Sequence, residues 1–467
     1  MRLLSALILC LLATPVLSQV SKISNVIPRL DINGQIVDAH DGRVIQFGEK
    51  YYWYGTQYGN TNGFTKANKY VVYSSPDMMN WQLEGNLLEN APKGVYYRPH
   101  VIYNEKNKQY VLWYNWYPKL WNGQFGVAVS KSPAGPFLIA NSDVKVSKSE
   151  IGVGDLGLFV DDDQQAYVSY NSIQNHQLVV ERLNEEYTAS TFETSDIIAE
   201  HVEAGSMFKR AGTYYLLTDY TCCFCNFGSG ARVYTSGSPL GPYRFSSNIN
   251  RYPGEPVPGL TDGKLMGNKP YEMDVKNELI LTTMDAGAIS EVVIHTFTGN
   301  RNGQCGQVDQ PSVHPKIAIP AFEFYAANVR IRPEAVSIDT LGLSNKLTYR
   351  FSYKITSDVK VKIADGFPFQ KLSLLEIETN NPKGIEVFLA GEQIEKSPII
   401  PAQQSYVMEL STRDGIQYIW MGDLWGSATD HVKGHDFQYW SKPLRFNSDG
   451  TIQRLRWTNE WEIALAK

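Results

Sequence analysis

A tyrosine-centred hairpin recurs along this chain with the same punctuation each time, and that recurrence restricts the fold more than any other feature. Phe47-Gly48-Glu49-Lys50 turns into Tyr51-Tyr52-Trp53-Tyr54-Gly55. The run 103–108 turns into Gln109-Tyr110-Val111-Leu112-Trp113, Asp161-Asp162-Asp163-Gln164-Gln165 into Ala166-Tyr167-Val168, and Lys209-Arg210-Ala211-Gly212 into Thr213-Tyr214-Tyr215. A further strand then ends in Ser-Pro with a bulky residue soon after: Ser75-Pro76 before Trp81, Ser132-Pro133 before Phe137, Ser238-Pro239 before Tyr243. The central tyrosines Tyr51, Tyr110, Tyr167 and Tyr214 are 47 to 59 residues apart, the length of a four-stranded propeller blade. A fifth hairpin is offered by residues 407–410 and 416–421. The expected fold is therefore all-β: a five-bladed β-propeller, whose closure leaves few exposed sheet edges. Ile319-Pro320-Ala321 and Ile400-Pro401-Ala402 bracket alternating strands that read as a small β-sandwich-like module, so residues 322–399 are expected as an insert in the last blade. The propeller would then take residues 19–321 and 400–467.

Residues 1–18, with Arg2, an apolar run and small residues at Val16 and Ser18, read as a secretory signal peptide. A second apolar run of that length is absent, so an exported protein with no membrane partner is expected. Four cysteines follow the leader: Cys222, Cys223, Cys225 and Cys305. A disulfide from the 222–225 cluster to Cys305 is expected in an oxidising compartment, with the remaining pairing open. The balance of 43 Lys+Arg against 48 Asp+Glu gives a net charge of −5 with no long run of either sign, which argues against nucleic acid as a partner. Aromatic residues form 12% of the chain, with 28 Tyr and 10 Trp. They suit strands, and they suit sugar rings, whose C–H faces stack on aromatic faces.

The starts of the blades carry the chemistry. Ala39-His40-Asp41-Gly42-Arg43-Val44 leads into the first hairpin, Arg98-Pro99-His100 opens the second blade, Val153-Gly154-Asp155-Leu156-Gly157 the third, and Val202-Glu203-Ala204-Gly205 the fourth. In this order the motifs resemble glycoside hydrolase family 43. Trp420-Met421-Gly422-Asp423-Leu424-Trp425 and Gly434-His435-Asp436-Phe437-Gln438-Tyr439-Trp440 resemble the branch near the exo-1,3-galactanases. The resemblance implies a secreted glycosidase cleaving arabinosyl, xylosyl or galactosyl bonds of a polysaccharide or oligosaccharide with inversion, acting as a monomer. It implies that Asp41 is the general base that activates water, Glu203 the general acid, and Asp155 the anion that raises and orients Glu203. Asp38 is the rival for the base. His40, Arg98, His100 and Gln403 are expected to bind substrate. In the galactanase branch a Gln is proposed for the role of a missing first-blade Asp, yet this chain has both Gln403 and Asp41. It also has Tyr97 where that branch places a Glu before Arg-Pro, so the sugar stays open. No cofactor is required; a structural calcium near His431 and His435 is allowed. The alternative from another class is a propeller lectin that binds glycan without cutting it.

Overall fold

The computed structural model describes residues 20–221, 223–224, 230–250, 271–297, 319–367, 371–428, 430 and 432–466. The expected signal peptide, Cys222, Cys225, Cys305 and His431 lie outside them, and with them the expected disulfide.

Four sheets of four antiparallel strands follow one another along the chain. Blade I is His40–Phe47, Lys50–Gln57, Lys69–Ser75 and Gln82–Asn86. Blade II is Val95–Asn104, Gln109–Tyr117, Gln124–Ser130 and Leu138–Val144. Blade III is Val153–Val160, Ala166–Ser172, Leu178–Leu183 and Ser190–Thr194. Blade IV is Val202–Arg210, Thr213–Tyr220, Arg232–Ser236 and Arg244–Asn248. Blade V has three strands, Gln403–Thr412, Gly415–Leu424 and Phe437–Trp440. The first strand of each blade packs on the first strand of the next, and that of blade V packs on both blade IV and blade I, so the five inner strands form a ring.

Burial follows from position in that ring. Inner strands touch neighbours on both faces and are buried almost throughout, whereas outer strands such as Gln82–Asn86 are mostly exposed. In blades I and IV the hairpin between first and second strands turns on a glycine with positive φ, 61° at Gly48 and 79° at Gly212, a conformation with little steric cost only without a Cβ. The ends of the chain are tied together beside blade V. Val20–Ser24 pairs with Glu460–Ala464, and the Asn25 side chain exchanges hydrogen bonds with the Trp440 backbone at 3.0 and 2.8 Å. Trp53, Trp81 and Trp440 meet edge-on or tilted at this seam, with the Arg29 guanidinium 3.9 Å from the Trp440 ring centroid.

Between blades IV and V lies a two-sheet module with its own apolar core. One sheet runs Glu272–Asp274, Lys371–Thr379, Ile289–Phe297, Ser344–Ile355, Ala335–Leu341. The other runs Val329–Ile331, Phe322–Ala326, Val359–Ile363, Leu279–Thr283, Ile385–Leu389, Glu392–Ile394. The expected boundary at 322 is thereby corrected: Leu279–Thr283 and Ile289–Phe297 lie inside the two sheets, paired on both sides. The Ile-Pro-Ala repeat misled because sheet pairing, not a three-letter match, sets the boundary. The propeller-side ends are marked instead by Asn250, whose side chain donates to Ile400 O at 2.9 Å and accepts from Ile400 N–H at 2.7 Å. Excising 322–399 therefore strands central sheet edges and should yield insoluble protein. Joining Asn250 to Ile400 instead should leave a soluble propeller; comparison of soluble yield and circular dichroism of the two deletions checks this.

Candidate active site

Every inner strand slips register near its start, and the slip places the candidate residues. In blades I to IV two residues oppose one: Asp41-Gly42, Arg98-Pro99, Gly154-Asp155 and Ala204-Gly205. Blade V slips by one residue at Ser405. A β-bulge bends its strand and re-aims the side chain. Three of the bulged residues pay in backbone strain, with φ of 48° at Asp41, 49° at Arg98 and 59° at Ala204. Gly42 fits because a Cβ there would lie 1.9 Å from the Tyr54 carbonyl oxygen.

The bulges bring Asp41, Arg98, Asp155, Glu203 and Gln403 to one pocket, walled by Tyr58, Phe64, Tyr97, Tyr117, Phe224 and Trp425. Phe224 meets Tyr58, Phe64 and Trp425 edge-on with ring centroids 5.0–5.3 Å apart. Trp121, 56% exposed, also lines it.

Asp41 is buried. Its Oδ2 accepts from the Tyr58 hydroxyl at 2.5 Å, and its own N–H donates to Asp423 Oδ2 at 2.9 Å. Burial pushes its carboxyl up to about 7, against the pull of Arg98 and the Tyr58 hydroxyl. A carboxyl that ionises near neutrality suits a base that must shed its proton before each turnover. Activity should therefore rise as pH climbs through about 7, and a pH–rate profile with its acid limb below 5 would contradict this.

Glu203 Oε1 accepts from Gln403 Nε2 at 2.7 Å, and Gln403 Oε1 in turn accepts from Trp425 Nε1 at 2.7 Å and from Phe224 N–H at 3.2 Å. Both ends of the Gln403 amide are thus committed, and its orientation is fixed. Asp155 is paired with Arg98, Nε to Oδ2 at 2.9 Å. Arg98 also donates to the carbonyls of Ser405 and Gln404 at 2.8 and 3.0 Å. Burial alone would lower the guanidinium's affinity for its proton, but Asp155 and Asp41 raise it further, so it remains a cation.

Of the expected sugar-binding residues, His40 and His100 stand outside the pocket lining, and Arg98 stands in it with Nε, Nη1 and Nη2 each bonded to protein. His40 is fully buried and away from the pocket lining. Its Nδ1 meets Asp423 Oδ1 at 2.9 Å and its Nε2 meets Gly434 O at 3.2 Å. With an acceptor at each nitrogen it carries both protons. Burial opposes that charge, but Asp423 and Asp38 overcome it and raise the imidazole to about 9. His100 is buried edge-on against Tyr406, 5.1 Å between centroids, and burial beside Arg43 and Arg98 keeps it neutral. The physical reason is alternation: next to a bulge, neighbouring side chains leave for opposite sides, so residues adjacent to Asp41 and two beyond Arg98 enter the protein interior. Asp38, the rival base, accepts the N–H groups of Tyr58 and Gly59 at 2.9 and 2.7 Å, and so anchors the loop that carries Tyr58.

The sequence reading missed Asp423, which holds both His40 and the Asp41 backbone, and Tyr58. Asp423 stands within the quoted Trp420–Trp425 motif, but its partners are over 380 residues away in sequence. As for calcium, His435 Nδ1 is paired with Asp430 Oδ2 at 2.6 Å, and no cluster of three or more metal-ligating side chains occurs among the described residues. Imidazole is also a poor match to a cation that prefers oxygen. His435 is thus engaged by Asp430, and His431 lies outside the described residues.

Residues 36–251 match the sequence model of Glycosyl hydrolases family 43. Among solved structures the chain resembles a GH43 β-1,3-galactosidase determined with galactodeoxynojirimycin, at TM-score 0.54 and 18% identity over 94% of this chain and 99% of that one. It also resembles an exo-β-1,3-galactanase from Clostridium thermocellum, at TM-score 0.53 and 19% identity, over 94% of this chain and 66% of that one. At such identities the likeness is one of fold. No curated protein matches in sequence. Together, the propeller and the family match make the protein a glycosidase. The match to glycosyl hydrolases family 43 spans blades I to IV.

Proposed function

We propose that this glycosidase is exported and removes arabinosyl, xylosyl or galactosyl units from polysaccharide or oligosaccharide chains with inversion, Glu203 acting as acid and Asp41 as base. The observation that carries the reading is that equivalent bulges on three blades deliver Asp41, Asp155 and Glu203 to a single aromatic-walled pocket. Export is supported by the leader read in residues 1–18.

Cleavage starts with a sugar seated against the aromatic wall. Glu203 gives its proton to the departing glycosidic oxygen, and its carboxylate remains anchored by Gln403 Nε2. Asp41, ionised, takes a proton from water as that water's oxygen attacks the anomeric carbon from the opposite face. Tyr58 holds Asp41 Oδ2 in place. Asp41 rather than Gln403 is the base because the Gln403 amide already donates to Glu203 and accepts from Trp425. Arg98 neutralises Asp155 and fixes the blade V backbone beneath the pocket.

The test is hydrolysis of nitrophenyl β-galactoside, α-arabinofuranoside and β-xyloside and of β-1,3-galactan, the last because both neighbours are named for β-1,3-linked galactose. Calorimetric binding of the same compounds runs in parallel. Release of sugar from at least one supports the proposal. Binding without any hydrolysis would favour a lectin.

A further inference from the structure

Asp219, on the second strand of blade IV, is a fully buried carboxyl that no step above uses. It stands directly opposite Glu203 in the antiparallel pair. Residues so opposed project from the same face, with Cβ atoms roughly 4.5–5.5 Å apart. Blade V grips both carboxyls with consecutive residues: the Gln403 side chain donates to Glu203 Oε1 at 2.7 Å, and the Gln404 N–H donates to Asp219 Oδ2 at 2.9 Å. Asp219 Oδ1 is buried without a protein hydrogen-bond partner among the described residues. A bare carboxylate oxygen in that position is costly, and a proton on it removes the cost.

The charges around Asp219 come from three blades: Glu203 opposite it, Arg98 from blade II and Asp155 from blade III. His176, on the loop before the third strand of blade III, has Nδ1 3.9 Å from Glu203 Oε2, and burial keeps it neutral, at about 4. Arg98 makes its ion pair with Asp155, and among the described residues no ion pair includes Asp219. Asp155 adds its charge to the surroundings of Asp219, and Arg98 offsets part of it.

We propose that Asp219 and Glu203 form a carboxyl pair holding one proton between them, with Asp219 the positioning residue that keeps Glu203 in its acid form to higher pH. The inference rests on the reading of Glu203 as the acid. Adjacent carboxyls resist double ionisation, so they titrate as a unit and the second proton leaves late. Burial and the charge of Glu203 push Asp219 well above the usual carboxylate range, in agreement. In the reactive arrangement the proton is on Glu203, which passes it to the departing oxygen; the pair is then doubly ionised and regains one proton from water.

The experiment compares wild type, Asp219→Asn and Glu203→Gln by pH–rate profile on a hydrolysed oligosaccharide, whose leaving group needs protonation, and by infrared difference spectroscopy of protonated carboxyls. Asp219→Asn preserves shape but cannot ionise. Its alkaline limb should move to lower pH by about one unit or more, with the loss of kcat/KM concentrated on the alkaline side. The spectrum should lose a protonated-carboxyl band present in wild type at pH 7. In Glu203→Gln, the Asp219 carboxyl should ionise at lower pH than the pair does; this arm decides the matter if Asp219→Asn fails to fold. A uniform loss of rate with both limbs unmoved, or an unchanged band, would overturn the inference. Unimpaired turnover of poor leaving groups by Glu203→Gln contradicts the acid reading and the inference with it. A slowed Glu203→Gln beside an unmoved limb in Asp219→Asn contradicts the inference alone.

Discussion

Glu203→Gln should lower turnover of glycosides with poor leaving groups by about 10²–10⁴-fold, the usual contribution of a general acid, while sugar binding survives. The variant amide still presents an acceptor oxygen to Gln403 Nε2, so the pocket keeps its shape. It lacks a proton acidic enough to give to a departing alkoxide. Nitrophenolate needs little protonation, so nitrophenyl substrates should be largely spared. Asp41→Asn should lose a comparable factor on both kinds of substrate, because activation of water is needed whatever leaves. The leaving-group dependence is the diagnostic: equal losses in Glu203→Gln on natural and nitrophenyl substrates would remove Glu203 from the role of acid.

Arg98→Met should destabilise the fold by about 3–5 kcal/mol, the cost of removing one partner from a buried ion pair. The guanidinium holds Asp155 and two carbonyls of blade V, and it is the cation that Asp41, Asp155, Asp219 and Glu203 all act on. Without it, buried carboxyls of blades I, III and IV face one another uncompensated. The loss should shrink at acid pH, where Asp41 and Asp219, both raised by burial, are protonated, and urea denaturation at pH 5 and pH 8 measures the difference. A variant as stable as wild type at pH 8 would show that Arg98 is not the electrostatic hub.

The blades were legible because each hairpin carries its own strand, turn and aromatic signals within a few dozen residues. Asp41, Asp155 and Glu203 were singled out by the motifs that carry the family resemblance, and the structure brings all three to one pocket. What stayed hidden depends on contacts between distant segments. Asp423 reaches His40 and Asp41 across the seam between blades V and I, and Asp219 reads in sequence as one polar residue of an ordinary strand. His40 and His100 have the chemistry of sugar binding, but alternation around the bulges turns them into the protein, while Arg98 stays in the pocket wall bonded to Asp155 and blade V. The module boundary was missed because Ile289–Phe297 pairs with residues up to 87 positions further along the chain, Val292 with Thr379.

The central claim, that Asp41 and Glu203 act as base and acid across one sugar, is tested most directly by proton NMR of the first-formed sugar. Direct attack by water on the face opposite the leaving group requires the inverted anomer, which then equilibrates. That is the result the account predicts for the wild type on whichever substrate it cleaves. First appearance of the retained anomer would mean a covalent glycosyl intermediate, and would contradict the assignment of Asp41 as a base acting on water.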